Sequence, residues 1–249
     1  MMSLANARLA EVVKKQYLYK LKSYSNVFSS LVMVQMIAIL MSFGSTSSSG
    51  SSTSTIDLTV NKYSSDVIIA FTLLWGFISA IIITTKAYRY DDFTFVSNRI
   101  SSHLSNILFL LTASIIGGAC GILSGFLQKV LMYFFDYSII REYSHLASPS
   151  ELLLGIIMTT LYVFFFSAFG YVIGYLVQIH KLFIATVPVF LLGSMFISAE
   201  QGNEGWIVRF FEYYFLEPSV FIFFLKIIGT VAILYTITIL MSDKLDVRT

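Results

Sequence analysis

The sequence predicts an all-α integral membrane protein with six transmembrane helices and both ends on the cytoplasmic side. Of its 249 residues, 57% are hydrophobic and only 12% charged, with a mean hydropathy of +0.80. An average soluble domain is about 25% charged. Six long stretches are free or nearly free of charge, each close to the ~20 apolar residues with which a helix crosses a hydrocarbon core of ~30 Å. Lys and Arg are shared unevenly between the connecting segments: eleven lie on the side of the N-terminus and four on the other, Lys226 being left out as intramembrane. The positive-inside rule then orients the chain.

A soluble fold could bury one or two such stretches, but six in so short a chain leave too little polar surface to cover them. A membrane barrel needs alternating segments of about ten residues, whereas these runs are continuous. Helices are the remaining solution, because lipid offers no partner to an unpaired backbone group. One transmembrane domain over residues 1–249 is expected.

The elements follow in order. Leu4 to Lys22 reads as a helix lying on the cytoplasmic membrane surface: Ala5, Leu9, Val12, Val13 and Gln16 share one arc, and Arg8, Glu11, Lys14, Lys15 and Lys22 the opposite one. No small-residue cleavage site follows, so the first span is expected to remain as an anchor. The spans are placed at about 27–43, 67–85, 104–127, 152–177, 182–198 and 220–241. Phe43 to Thr55, almost wholly Ser, Thr and Gly, reads as a flexible outer loop. Ala199 to Pro218 gathers Trp206, Phe210, Phe211, Tyr213, Tyr214 and Phe215, an aromatic load suited to the water-lipid boundary or to a re-entrant pair of short helices.

Catalytic motifs do not occur. There is no Walker-type phosphate loop, no His-Glu-x-x-His, no cysteine pair and no Gly-x-Ser-x-Gly elbow. The histidines His103, His145 and His180 fall at loop positions or membrane edges and read as solvated edge residues. The basic residues are dispersed, and nothing favours nucleic acid. The chain is expected not to be an enzyme and to bind neither metal nor cofactor itself. Cys120 is the single cysteine, so no intrachain disulfide is available.

Three features are candidates for function. Gly117, Gly121 and Gly125, with Gly170 and Gly174, recur at steps of four and put small residues on one helical face, which serves close packing within the subunit or across a dimer. Lys226 is the one charge inside a span, either snorkelling to the outer boundary or acting within the membrane. The segment Lys86 to His103, KAYRYDDFTFVSNRISSH, mixes Tyr88, Phe93 and Phe95 with Arg89, Asp91, Asp92 and Arg99, as a short helix docking into a partner's groove does. The membrane interface is the other place for those aromatics.

In this order of parts the chain resembles the membrane subunits of ABC exporters of the type-2 permease family. DDFTFVSNRISSHLSNILFLL is similar to the coupling segment of such permeases from Gram-positive bacteria. The resemblance implies a permease subunit of the plasma membrane with an N-terminal interfacial helix and a cytoplasmic coupling helix over Tyr88 to Ser102. It also implies a separate ABC ATPase subunit that supplies ATP and Mg and docks on Tyr88, Arg89, Asp91, Asp92, Phe93, Phe95 and Arg99, and a second permease subunit, the same chain or another. The cargo expected is hydrophobic or amphipathic: a peptide, toxin or drug. The large outer domain of some relatives is missing. Two other classes stay open, an ATP-independent six-span carrier or channel and a membrane immunity or scaffold protein.

Overall fold

The computed structural model describes residues 9–43, 46–53, 56–63, 65–88, 98–134, 148–200 and 205–242. They form helices α1 (Leu9–Ser23), α2 (Ser25–Ser42), α3 (Asp66–Ile83), α4 (Arg99–Phe134), α5 (Pro149–Ile179), α6 (Phe183–Glu200), α7 (Trp206–Phe215) and α8 (Val220–Ser242). Between α2 and α3, β1 (Thr46–Thr53) pairs antiparallel with β2 (Ile56–Tyr63). Among the described residues, α2, α3, α4, α5 and α8 are long and apolar enough to cross a membrane. This is the build of a multi-pass, essentially all-α membrane protein.

The hairpin corrects the expectation of a flexible loop. Thr46 faces Tyr63 and Thr53 faces Ile56 in an unbroken register. The Ser/Thr-rich segment has little to bury by itself, but Ile56, Leu58 and Val60 alternate with polar residues in the following strand. That period of two offers the first strand a backbone ladder to complete.

α4 is much longer than the span expected at 104–127. Its 36 residues amount to about 54 Å at 1.5 Å per residue, so it outruns the hydrocarbon core. Its start is fixed at Asn98, whose carbonyl accepts the backbone N–H of Ser101 (2.9 Å) and Ser102 (3.2 Å) and the Ser101 hydroxyl (2.6 Å). α5 begins with a capping box: Ser148 Oγ accepts from Glu151 N while Glu151 Oε2 accepts from Ser148 N, and Pro149 fills the first turn.

α5 is the hub, packed against α3 most extensively and also against α4, α8 and α6. α1 lies on α4, and α2 packs on α3 and α4. The glycines make the central seams possible. A Cβ at Gly117 would stand 2.9 Å from Trp75 Cζ3, and one at Gly76 2.8 Å from Val163 Cγ1. At Gly170 a Cβ would strike the Phe77 carbonyl oxygen, and at Gly174 the Thr84 hydroxyl. Gly121 and Gly125 are roomier, a Cβ meeting Thr72 Oγ1 at 3.3 Å and Ser65 Oγ at 3.2 Å. All five glycines named from spacing therefore turn towards α3 or the residues that flank its two ends, Ser65 and Thr84.

α7 lies alongside the middle of α5 rather than beyond its end. Phe210 and Tyr214 pack on Phe165, with ring centroids 6.4 and 4.8 Å away, and Phe215 stacks on Tyr162 at 4.5 Å.

Overpacking a tight seam costs about 1–3 kcal/mol. Gly170→Ala is expected to lower the thermal midpoint of the purified protein well below that of Gly121→Ala. Gly193→Ala, where a Cβ meets nothing within 4 Å, should leave it unchanged. Static light scattering on heating in detergent reads all three.

Candidate functional site

The apolar arc of α1 buries Val13 and Gln16, and with them Lys20. Glu11, Lys14, Lys15 and Lys22 stay exposed. The arc faces α4, so α1 is docked on the bundle, and a lysine is carried into the seam. Lys20 is 1% exposed, and its ammonium donates to Ser105 Oγ at 2.8 Å and to Asn106 Oδ1 at 2.5 Å.

These bonds order a longer chain of groups. Because Asn106 Oδ1 accepts from Lys20, its Nδ2 faces the other way and donates to the Tyr171 hydroxyl at 3.2 Å. That hydroxyl lies 2.9 Å from His103 Nδ1. The direction of that last bond follows the imidazole tautomer. Lys20, Asn106, Tyr171 and His103 are thus joined in one buried hydrogen-bonded chain, an arrangement in which neighbouring bonds polarise one another. Tyr175 and Tyr235 close the cluster, with ring centroids 5.1 Å from His103 and 5.5 Å from Tyr171 respectively.

His103 corrects an expectation. Its place in the sequence suggests a solvated membrane edge, but it is 2% exposed, inside α4 and against Tyr171 and Tyr175. The error followed from starting the third span at residue 104; with α4 beginning at Arg99, residue 103 is already in the packed helix. His180 is exposed at the end of α5, and His145 lies outside the described residues. Lys20, Ser105 and Asn106 were not singled out at all. The available signal was Asn106, an amide just inside a predicted span, and Lys20, four residues beyond Gln16 on the same helical face.

The segment proposed to couple to a partner is described only at its edges. Tyr88 packs edge-on against Tyr24, with centroids 4.5 Å apart, and Tyr24 in turn against Phe109 at 5.9 Å. Arg99 opens α4. Arg89, Asp91, Asp92, Phe93 and Phe95 lie outside the described residues.

Lys226 is compensated. It forms an ion pair with Glu217, donates to the Tyr213 carbonyl at 3.3 Å and stands 3.6 Å over the Tyr213 ring. This ties the start of α8 to the end of α7. Among the described residues no three His, Cys, Asp or Glu side chains converge as metal ligands would.

A cavity of about 570 Å3 opens between α3, α5, α6 and α7, walled by Phe77, Phe165, Phe169, Phe183, Phe190 and Phe210 among others. Among the described residues no ionisable side chain lines its wall. Its size is that of a ligand site, which runs to about 300–1,000 Å3.

The polar chain makes a stability prediction. Hydrogen bonds to a buried charge are worth about 1.5–3 kcal/mol each and neutral ones about 1. Asn106→Leu is expected to destabilise the purified protein about twice as much as Tyr171→Phe. Lys20→Met, which keeps the apolar stem and removes the charge, should rescue most of the Asn106→Leu loss in the double variant. Thermal unfolding followed by tryptophan emission checks the ordering.

No protein family, curated protein or solved structure matches the chain.

Proposed function

We propose that the chain is the membrane permease subunit of an ATP-driven exporter, moving a hydrophobic or amphipathic cargo by alternating access. Six spans, with α6 as the fifth, and both termini in the cytoplasm of the plasma membrane belong to this reading. The ATPase is a separate subunit carrying ATP and Mg. It docks on the connection between α3 and α4 through Asp91, Asp92, Phe93, Phe95 and Arg99, and a second permease subunit completes the pathway.

The observation that carries the reading is the joint of Tyr24, Tyr88 and Lys20. Tyr88 begins the connection, Tyr24 sits where α1 passes into α2, and Lys20 binds α1 to the first turns of α4. A push on the connection therefore reaches α1, α2 and α4 together, which is what rigid-body transmission from a docked motor requires. The aromatic cavity supports the apolar cargo. The alternative of an ATP-independent carrier leaned on Lys226 as a working charge, and its pairing with Glu217 gives that alternative no support.

Purification from the native host in mild detergent should bring down a stoichiometric ATPase with a Walker motif, identified by mass spectrometry. Combined alanine substitution of Asp91, Asp92, Phe93, Phe95 and Arg99 should abolish that association; unchanged binding would sink the proposed interface. Tyr24→Ala should keep the ATPase bound while cutting transport at least ~tenfold, the loss of ~1.4 kcal/mol or more of coupling.

A further inference from the structure

We infer that the cavity between α5, α6 and α7 is a binding site for an uncharged hydrocarbon body, an acyl chain or a fused apolar ring system, and that its occupant completes the packing of α6. The inference stands on the cavity alone and holds whether or not an ATPase drives the chain.

The wall chemistry selects the ligand. It is built almost wholly from Phe and aliphatic side chains contributed by α3, α5, α6 and α7. Two polar groups reach it. The Thr186 hydroxyl is turned back to the Leu182 carbonyl at 3.2 Å and is spent there. The Trp206 indole N–H has no hydrogen-bond partner among the described residues, so the site offers a guest one donor at most. A charged guest would enter without a counter-ion, at a cost that an apolar wall does not offset. Water has too few polar partners to fill the space, since an ordered water needs two to four.

The helix on the far side is built to yield. α6 touches the bundle chiefly through α5, and across the cavity its Phe190 ring meets Trp206, at 5.8 Å. Pro188 removes one backbone N–H from the α6 ladder. An apolar body between α6 and the Phe165, Phe169 and Phe210 rings supplies the contacts that α6 lacks. The occupant comes either from the bilayer, as a lipid chain, or from a free hydrophobic molecule; the chemistry is shared.

Trp206 lines the cavity and is the natural reporter. The other tryptophan, Trp75, is buried in the core, so the emission lost in Trp206→Phe belongs to the cavity. The probe is methyl dibromostearate, an uncharged ester whose bromines quench indole emission, added to the chain purified alone in vesicles of unbrominated phosphatidylcholine. The inference expects saturable quenching of the Trp206 component, reversed by methyl stearate. Val187→Phe, which fills the cavity with an added ring, should raise the half-saturating ester at least ~fivefold while the unsaturable quenching by surrounding lipid stays as it was. Quenching that rises linearly and identically in wild type and Val187→Phe overturns the site. Should Val187→Phe fold poorly, Ile173→Phe makes the same test from α5.

A second arm separates the sources. In vesicles doped with dibromostearoyl-phosphatidylcholine, quenching that methyl stearate relieves identifies a bilayer lipid as the resident occupant. Quenching that it cannot relieve, with the free ester still saturable, identifies a site for free hydrophobic molecules. No ATPase enters the measurement, so its failure would leave the exporter reading to its own test.

Discussion

α5 can lie against α3 almost backbone to backbone because Gly76, Gly170 and Gly174 bring no side chain to the seam, and the positions of the other helices follow from that approach. Within a membrane there is no hydrophobic gain in pressing one apolar helix on another, since lipid is as apolar as leucine; close packing and dispersion must hold the pair. Glycine lets the axes come near enough for both. Ser167, whose hydroxyl bonds back to the Val163 carbonyl at 2.7 Å, faces Gly76 across the seam as a small residue whose polar atom is satisfied within its own turn. With α3 and α5 joined, α4 packs against both, and α8 finds the remaining face of α5.

Clusters of side chains hydrogen-bonded from helix to helix gather at the two ends of this body, while buried hydroxyls along its middle, such as Thr72, Ser114 and Ser167, bond back to their own helix. Towards the hairpin, Gln128 on α4 donates to Ser42 on α2 at 2.6 Å and accepts from Ser65 at 3.2 Å, while Ser124 donates to Gln35 at 2.9 Å. At the opposite end, Lys20, Ser105, Asn106, Tyr171 and His103 tie α1, α4 and α5. Interhelical hydrogen bonds of this kind set register where apolar surfaces alone would slide. The difference between the ends is charge. The hairpin end is fastened by neutral amides and hydroxyls, the α1 end by an ammonium, which demands its acceptors more strictly.

How far the sequence could be read follows from what each feature depends on. Spans α2, α3, α5 and α8 were legible because absence of charge over a membrane's width is a property of the run itself. Their ends moved by a few residues, as at Ser25 for 27 and Pro149 for 152. The glycine steps were legible as a face, but not its partner, since spacing says which side of a helix is small and not what lies opposite. The hairpin was missed because β1 takes its order from β2, and a Ser/Thr run has no signal of its own. Lys20 goes unnoticed and His103 is misplaced for a shared reason: neighbours in sequence say nothing of their surroundings, which come from partners 68 or more positions away. Buried polar clusters in this chain are long-range objects and leave only single, ambiguous residues in the sequence.

The division between tight and loose parts bears on the exporter proposed above. α3, α4 and α5 share glycine seams, and α1 and α2 are fastened to them by hydrogen bonds and by the Tyr24 and Phe109 contacts; these elements have reason to move together. α6 packs on α5 over a small contact, and α7 is joined to α5 by stacked rings and to α8 by the Lys226 and Glu217 pair. Stacked aromatics tolerate sliding at small cost, because offset and edge-on geometries are nearly equivalent over several ångströms of centroid separation. A displacement entering at the α1 end therefore meets a stiff body first and a compliant α6 and α7 last. The aromatic cavity lies on the boundary between the two, where, in the exporter reading proposed above, a relative shift of rigid and compliant parts would alter the space open to an apolar cargo.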